Sequence, residues 1–204
     1  MIQSQVFDDL YIVYTKFVFA LPFLLFTLNL MGFEAMHEKT PVGEIKVLQL
    51  PARTALEANA GQSYFSDNNI LFRTLFRYIS KHDLSMTTPV EAEIEPGKMR
   101  FFVGGKDANK SRPSTDTVSV KELEPMLVLA IGIRGSYDEE NFRKNQARLF
   151  RWIEEQTTYE PAGDPYAVYW DGPFIPWLLK RSEIHLPIRL SIQESETNQP
   201  IENP

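Results

Sequence analysis

One internal spacing constrains the fold of this chain more than any other feature. The stretch EIKVLQLPARTALEA from Glu44 resembles SVKELEPMLVLAIGI from Ser119, and Leu75-Phe76-Arg77-Tyr78-Ile79 resembles Leu149-Phe150-Arg151-Trp152-Ile153. Both matches lie 74 to 75 residues apart. Two independent matches at one offset indicate duplication, so the fold must be built from two similar units.

The halves share a grammar. Each opens on two strand-like runs separated by a proline, Ile45, Val47 and Leu48 before Thr54 to Leu56 in the first half. A helix follows. Apolar residues at Ile70, Leu71, Leu75, Tyr78 and Ile79 predict one over residues 68–81. Phe142, Leu149, Phe150 and Ile153 predict a second over 139–156, opened by Ser136-x-x-Glu139 as a capping box. Strand text returns at 90–94 and 99–103, then at 166–170 and 183–190, punctuated by Gly97 and by Asp171-Gly172-Pro173. Each half therefore reads β-β-α-β-β. Two halves make an α+β fold of eight mostly antiparallel strands, with one helix per half covering a sheet face. Residues 104–117 read as a polar loop between halves, and 191–204 as a disordered polar tail.

Ahead of the repeat, Phe17 to Phe33 is 17 residues without a charge, and extension back to Leu10 adds only Lys16. At about 1.5 Å per residue the longer stretch spans a hydrocarbon layer of roughly 30 Å. Tyr11 and Tyr14 suit an interface, and Pro22 is tolerated in lipid. The alternatives are a cleaved leader or a buried soluble helix. A leader wants a basic start and a small-x-small exit; here Asp8 and Asp9 precede the core and Phe33 spoils the exit. A soluble helix would carry a polar stripe. The expected organisation is an uncleaved transmembrane helix within 1–36, a folded domain over 37–190 and the tail. Lys39, Lys46 and Arg53 after the stretch outweigh Lys16 and the terminal amine before it. That places a single-pass protein in the inner or cytoplasmic membrane with its domain in the cytoplasm. The margin is about one charge, and a periplasmic domain is the alternative.

Chemistry is sparse. Lys and Arg number 21 against 27 Asp and Glu, a net charge of −6, which disfavours a nucleic-acid partner. The absence of cysteine removes disulfides, thiolate ligands and cysteine nucleophiles. The three histidines, His37, His82 and His185, are scattered, so a multi-histidine metal site is not expected. His82 reads as a helix cap, His185 as facing away from the apolar row of its strand, and His37 as interfacial or without a role. No P-loop, dinucleotide-binding glycine pattern, nucleophile elbow or HExxH occurs. Glu183 is the best lone carboxylate for acid catalysis, with a salt bridge to Arg181 or another base as the competing reading. Trp170, Phe174 and Trp177 surround Gly172, Pro173 and Pro176, a setting open between core packing and contact with a ligand or partner.

Two elements carry a family resemblance. Tyr78-Ile79 followed by Met86-Thr87-Thr88-Pro89-Val90, and the stretch YWDGPFIPWLLKRSEIHLPI from Tyr169, resemble the SOUL haem-binding protein family over about residues 44–190. The resemblance implies a distorted eight-stranded antiparallel barrel with two helices. It further implies a slot for haem or another tetrapyrrole beside the first helix, with Phe72, Phe76 and Met86 as apolar contacts. Arg73, Arg77 and Lys180 or Arg181 would meet the propionates, and Trp177 would cover the slot. Three functions follow as expectations: a membrane-anchored, non-catalytic tetrapyrrole binder; an accessory subunit docked on a larger integral-membrane complex, photosynthetic or respiratory; and a small-molecule enzyme using Glu183.

Overall fold

The computed structural model describes residues 33–172 and 174–191. The expected membrane helix and the polar tail lie outside the described residues except for Phe33 and Ser191. Among the described residues no helix is long and apolar enough to cross a membrane.

Strands β1 (Glu34–Ala35), β2 (Ile45–Leu50) and β3 (Arg53–Asn59) precede helix α1 (Tyr64–Lys81). Then come β4 (Thr87–Thr88), β5 (Val90–Glu93) and β6 (Lys98–Phe102). The second half holds β7 (Ser119–Leu123), β8 (Met126–Arg134), α2 (Glu139–Glu154), β9 (Tyr159–Pro161), β10 (Tyr166–Tyr169) and β11 (Arg181–Leu190). Both helices and all eight strands expected from the repeat are present. The added elements are short: β1 pairs with β4, and β9 extends β11.

The main sheet runs β2-β8-β11-β10-β5-β6-β3-β7, and every pairing in it is antiparallel. Exchanging the halves, β2 for β7 and β3 for β8, turns this order into its own reverse. The duplication is therefore a twofold pattern centred on β5 and β10. Two sequence expectations need correction. The proline-separated strands are not paired with each other: β2 lies on β8 and β3 on β7, so each half lends its first strand to the other. The two-residue connections Pro51-Ala52 and Glu124-Pro125 carry the chain from one strand to a strand it does not bond. The barrel is also open, an eight-stranded half-barrel ending at β2 and β7.

Strand alternation divides the core. Ala92, Met99, Phe101, Ala167, Ile184 and Leu186 join one apolar cluster with Leu71, Leu75 and Ile79 of α1 and Phe142, Leu149 and Ile153 of α2. Their sequence neighbours Glu91, Arg100, Val168, Glu183 and His185 point to the opposite side, as a period of two requires. Four of these five are buried, and Arg100 is half-buried.

Candidate functional site

Two places carry chemistry. The first is the outer face of α1. The helix buries Tyr64, Leu71, Leu75, Tyr78 and Ile79, leaving Ile70, Arg73, Phe76 and Arg77 exposed. Phe72 stacks on Phe76 with ring centres 6.0 Å apart and meets Phe101 of β6 edge-on at 5.3 Å. Phe76 is 50% exposed, a flat apolar platform open to solvent. Arg73 and Arg77 sit one turn apart, and neither forms an ion pair among the described residues. Like charges at that spacing repel, and an anion bridging them would relieve it.

The second is the inner side of the half-barrel, where Glu183 is sealed. Its Oε1 accepts from the Thr40 N–H at 2.9 Å and the Trp170 Nε1–H at 2.7 Å. Its Oε2 accepts from the Thr40 hydroxyl at 2.7 Å and from His185 Nε2 at 3.0 Å. The Tyr166 hydroxyl reaches His185 Nδ1 at 3.3 Å, and burial keeps that phenol protonated. A neutral imidazole with its proton on Nε2 satisfies both contacts. Gly132 makes this possible. It opposes Glu183 in the β8–β11 register, and a Cβ there would lie 2.2 Å from the Pro41 carbonyl oxygen and 2.4 Å from that of Thr40. Only glycine lets the Thr40-Pro41 backbone cross the sheet at that point.

Burial alone would push the Glu183 carboxyl upward; the donors from His185 and Thr40 outweigh it and hold it below the ordinary glutamate value. A void of about 10 Å³ lies on the other, helix side of the strand, lined by Phe142, Tyr169 and Ile184 among others. An ionised, enclosed carboxylate does not serve as a general acid. Of the bases expected to meet it, His185 does so in place of Arg181. That residue donates through Nη2 to the Thr40 carbonyl and through its main-chain N–H to Asp171. Deeper on the same side, Arg53 pairs with Glu91 and lies 4.5 Å from the Phe102 ring centre.

A wider cleft of about 470 Å³ opens where β5 and β10 separate, lined by Glu93, Glu95, Arg100, Arg143, Phe142 and Tyr166 among others. Its arginines are already engaged, Arg100 with Glu57 and Glu93 and Arg143 with Glu95.

The sequence-derived site residues fall in different places. Phe72 and Phe76 come together with Arg73 and Arg77 beside them. Met86 is half-buried beyond the helix, packed against the core. Lys180 lies over the Tyr137 ring at 4.8 Å, and Trp177 is 67% exposed in a one-turn 3-10 segment, Trp177–Leu179. Among the described residues no hydrogen bond or ring contact joins either of them to the α1 group. His82 is the α1 C-cap, its ring 4.4 Å from that of buried Tyr78, so it belongs to the inner flank of the helix. His37 is not without contacts. Its ring lies 5.0 Å from Trp170 and 5.5 Å from His185, and burial, then His185, lowers its pKa. Among the described residues no group of acidic and histidine side chains could hold a metal ion.

A family model described as SOUL heme-binding protein matches residues 32–187. No curated protein matches the chain. Among solved structures, the EcmrR C-terminal domain aligns with a TM-score of 0.56 at 14% identity, covering 73% of this chain and 98% of that one. EcmrR in a complex with DNA aligns at 0.59 and 15% identity, covering 73% and 58%. A hydrolase from Listeria innocua aligns at 0.50 and 10% identity, covering 74% and 94%. At such identities these likenesses concern the fold alone.

Proposed function

The chain belongs to the SOUL heme-binding protein family, and from that membership we propose that it binds haem or a related tetrapyrrole on the outer face of α1 without catalysing a reaction. The observation that carries this reading is the open Phe72–Phe76 stack beside two arginines that have no acidic partner among the described residues. A flat macrocycle would lie on the platform while Arg73 and Arg77 meet its carboxylates, and Met86 would add an apolar contact. Bound haem would supply its own absorbance and redox chemistry. Among the described residues this face presents no histidine, since His82 turns to Tyr78, so binding would rest on stacking and charge rather than axial ligation. The apolar stretch 10–33 would tether the protein to a membrane, a reading supported by hydropathy.

Titration of the full-length protein with haemin tests the site. A Soret change that saturates at one equivalent is expected. Arg73→Ala and Arg77→Ala should each weaken binding by about two- to fivefold, the range for exposed charge pairs. Phe76→Ala should weaken it about tenfold. Equal haemin affinity in all three variants would place the ligand elsewhere.

A further inference from the structure

Between β10 and β11 the chain forms a projecting apolar loop. Phe174 is 96% exposed, Trp177 67%, Leu178 52%, Leu179 49% and Ile175 40%. Five large apolar side chains within six residues form a continuous exposed patch, which soluble surfaces rarely carry without a partner. The backbone beneath is tied into itself. Ile175 N–H donates to the Gly172 carbonyl, Leu179 N–H to Pro176 and Lys180 N–H to Trp177, at 3.3, 2.9 and 3.2 Å. Those paired main-chain groups can leave water at a lower cost than free ones.

Basic groups collar its base. Lys180 lies over the Tyr137 ring, Lys39 lies 5.2 Å from the Trp170 ring centre, and Arg134 is exposed opposite Arg181 in the β8–β11 register. Arg181 holds the Thr40 carbonyl. Of the acids beside them, Asp171 accepts from the Arg181 main chain, and Glu38 is exposed. The chain as a whole has a net charge of −6, so this local positive surplus runs against the average. Aromatic and aliphatic tips above a basic collar match the cross-section of a lipid interface, acyl chains inside and phosphates outside. A protein partner would more often offer such anchors a pocket on a flat patch.

We propose that residues 174–179 insert into the interfacial layer of an anionic membrane, with Lys39, Arg134 and Lys180 at its phosphates. The proposal shares its membrane with the anchor reading of residues 10–33 but concerns a second, independent contact.

The full-length protein on vesicles of phosphatidylcholine and phosphatidylglycerol tests it, with lipids carrying bromine at shallow acyl positions as quencher. Trp170 is buried and Trp152 half-buried, and the difference between the native chain and Trp177→Phe isolates Trp177 emission. Insertion predicts a blue shift, loss of at least half that emission to bromine, and a severalfold drop in quenching by aqueous iodide. The paired variant Phe174→Asp with Leu178→Asp should abolish all three changes. Sedimentation with vesicles while Trp177 stays open to iodide and blind to bromine would overturn the loop proposal and leave the anchor reading standing. Shielding from both quenchers would assign the loop to a protein partner or a second copy and overturn it. A chain that does not sediment with vesicles would overturn both.

Discussion

Glu183 shows how little a residue's chemistry can be read from its neighbours in sequence. A glutamate alternating with isoleucine and leucine looks like the solvent side of a strand. Here it is enclosed because Thr40 and Pro41, more than 140 residues earlier, cross the sheet at Gly132. Nothing local to Glu183 announces Thr40, and nothing local to His37 announces Trp170. A folded-state value below the ordinary one means that this carboxylate stabilises the protein above the ordinary glutamate value. The contribution is lost as pH falls through the lowered folded-state value. His37 acts in the same direction at higher pH. Its lowered pKa makes protonation costly in the folded state, so stability begins to fall below its ordinary value of 6.5. Glu183→Gln sets an amide donor among four donors and should cost about 3 kcal/mol at neutral pH. It should also flatten the acid limb of the stability curve. Urea unfolding from pH 7 down to about pH 2.5 spans that window; native and variant curves that stay parallel below 4.5 would remove Glu183 from the acid response.

At the scale of elements, the helices were legible because their apolar faces recur at the helical period, while their starts were not. Ser136-x-x-Glu139 reads as a capping box, but the cap of α2 is Asp138, whose carboxylate accepts the Asn141 N–H at 2.8 Å. Ser136 spends its hydroxyl on Asp138 instead, and that bond, then the Asn141 N–H, lowers the Asp138 pKa. Helix α1 starts four residues earlier than its periodicity suggests. Its N-cap Ser63 makes no side-chain bond, and the first N–H, that of Tyr64, is met by the Ile94 carbonyl at 2.9 Å. A cap supplied by a distant strand leaves no mark in the local sequence. Asp138→Ala should cost about 1 kcal/mol, and Asp138→Asn should restore most of it. For a chain of this size, thermal unfolding should show a drop of about 2–4 °C for the alanine variant. An unchanged midpoint would mean that the first turn is held by tertiary contacts, as in α1. That Phe72 and Phe76 share a face follows from their being one turn apart, but that Phe76 stands open to solvent does not. What surrounds it depends on β6, which the helix cannot foretell.

For the whole molecule, the repeat predicted two similar units but not how they interlock. A duplicated sequence is equally consistent with two sheets side by side and with exchanged strands, because periodicity records which face a strand buries and not which edge it bonds. The observed order selects exchange. Three of the seven neighbour pairs in the main sheet join the halves: β2 with β8, β3 with β7, and β5 with β10. Each half alone would expose the long edge of β3 or β8 and have a first strand with no partner. Such edges are unstable and prone to misassembly. Fragments 34–117 and 118–191 should therefore each lack a cooperative unfolding transition. Mixed in equal amounts, they should regain one together with the far-ultraviolet dichroism of the joined domain. The twofold order adds a sharper expectation. Because β2 and β7 are equivalent, replacing Val47 and Leu48 with proline should block association as fully as replacing Val120 with proline does. A fragment that melts cooperatively by itself would show that intra-half packing under one helix suffices. The exchanged strands would then be an addition to two stable units rather than the device that makes them one domain.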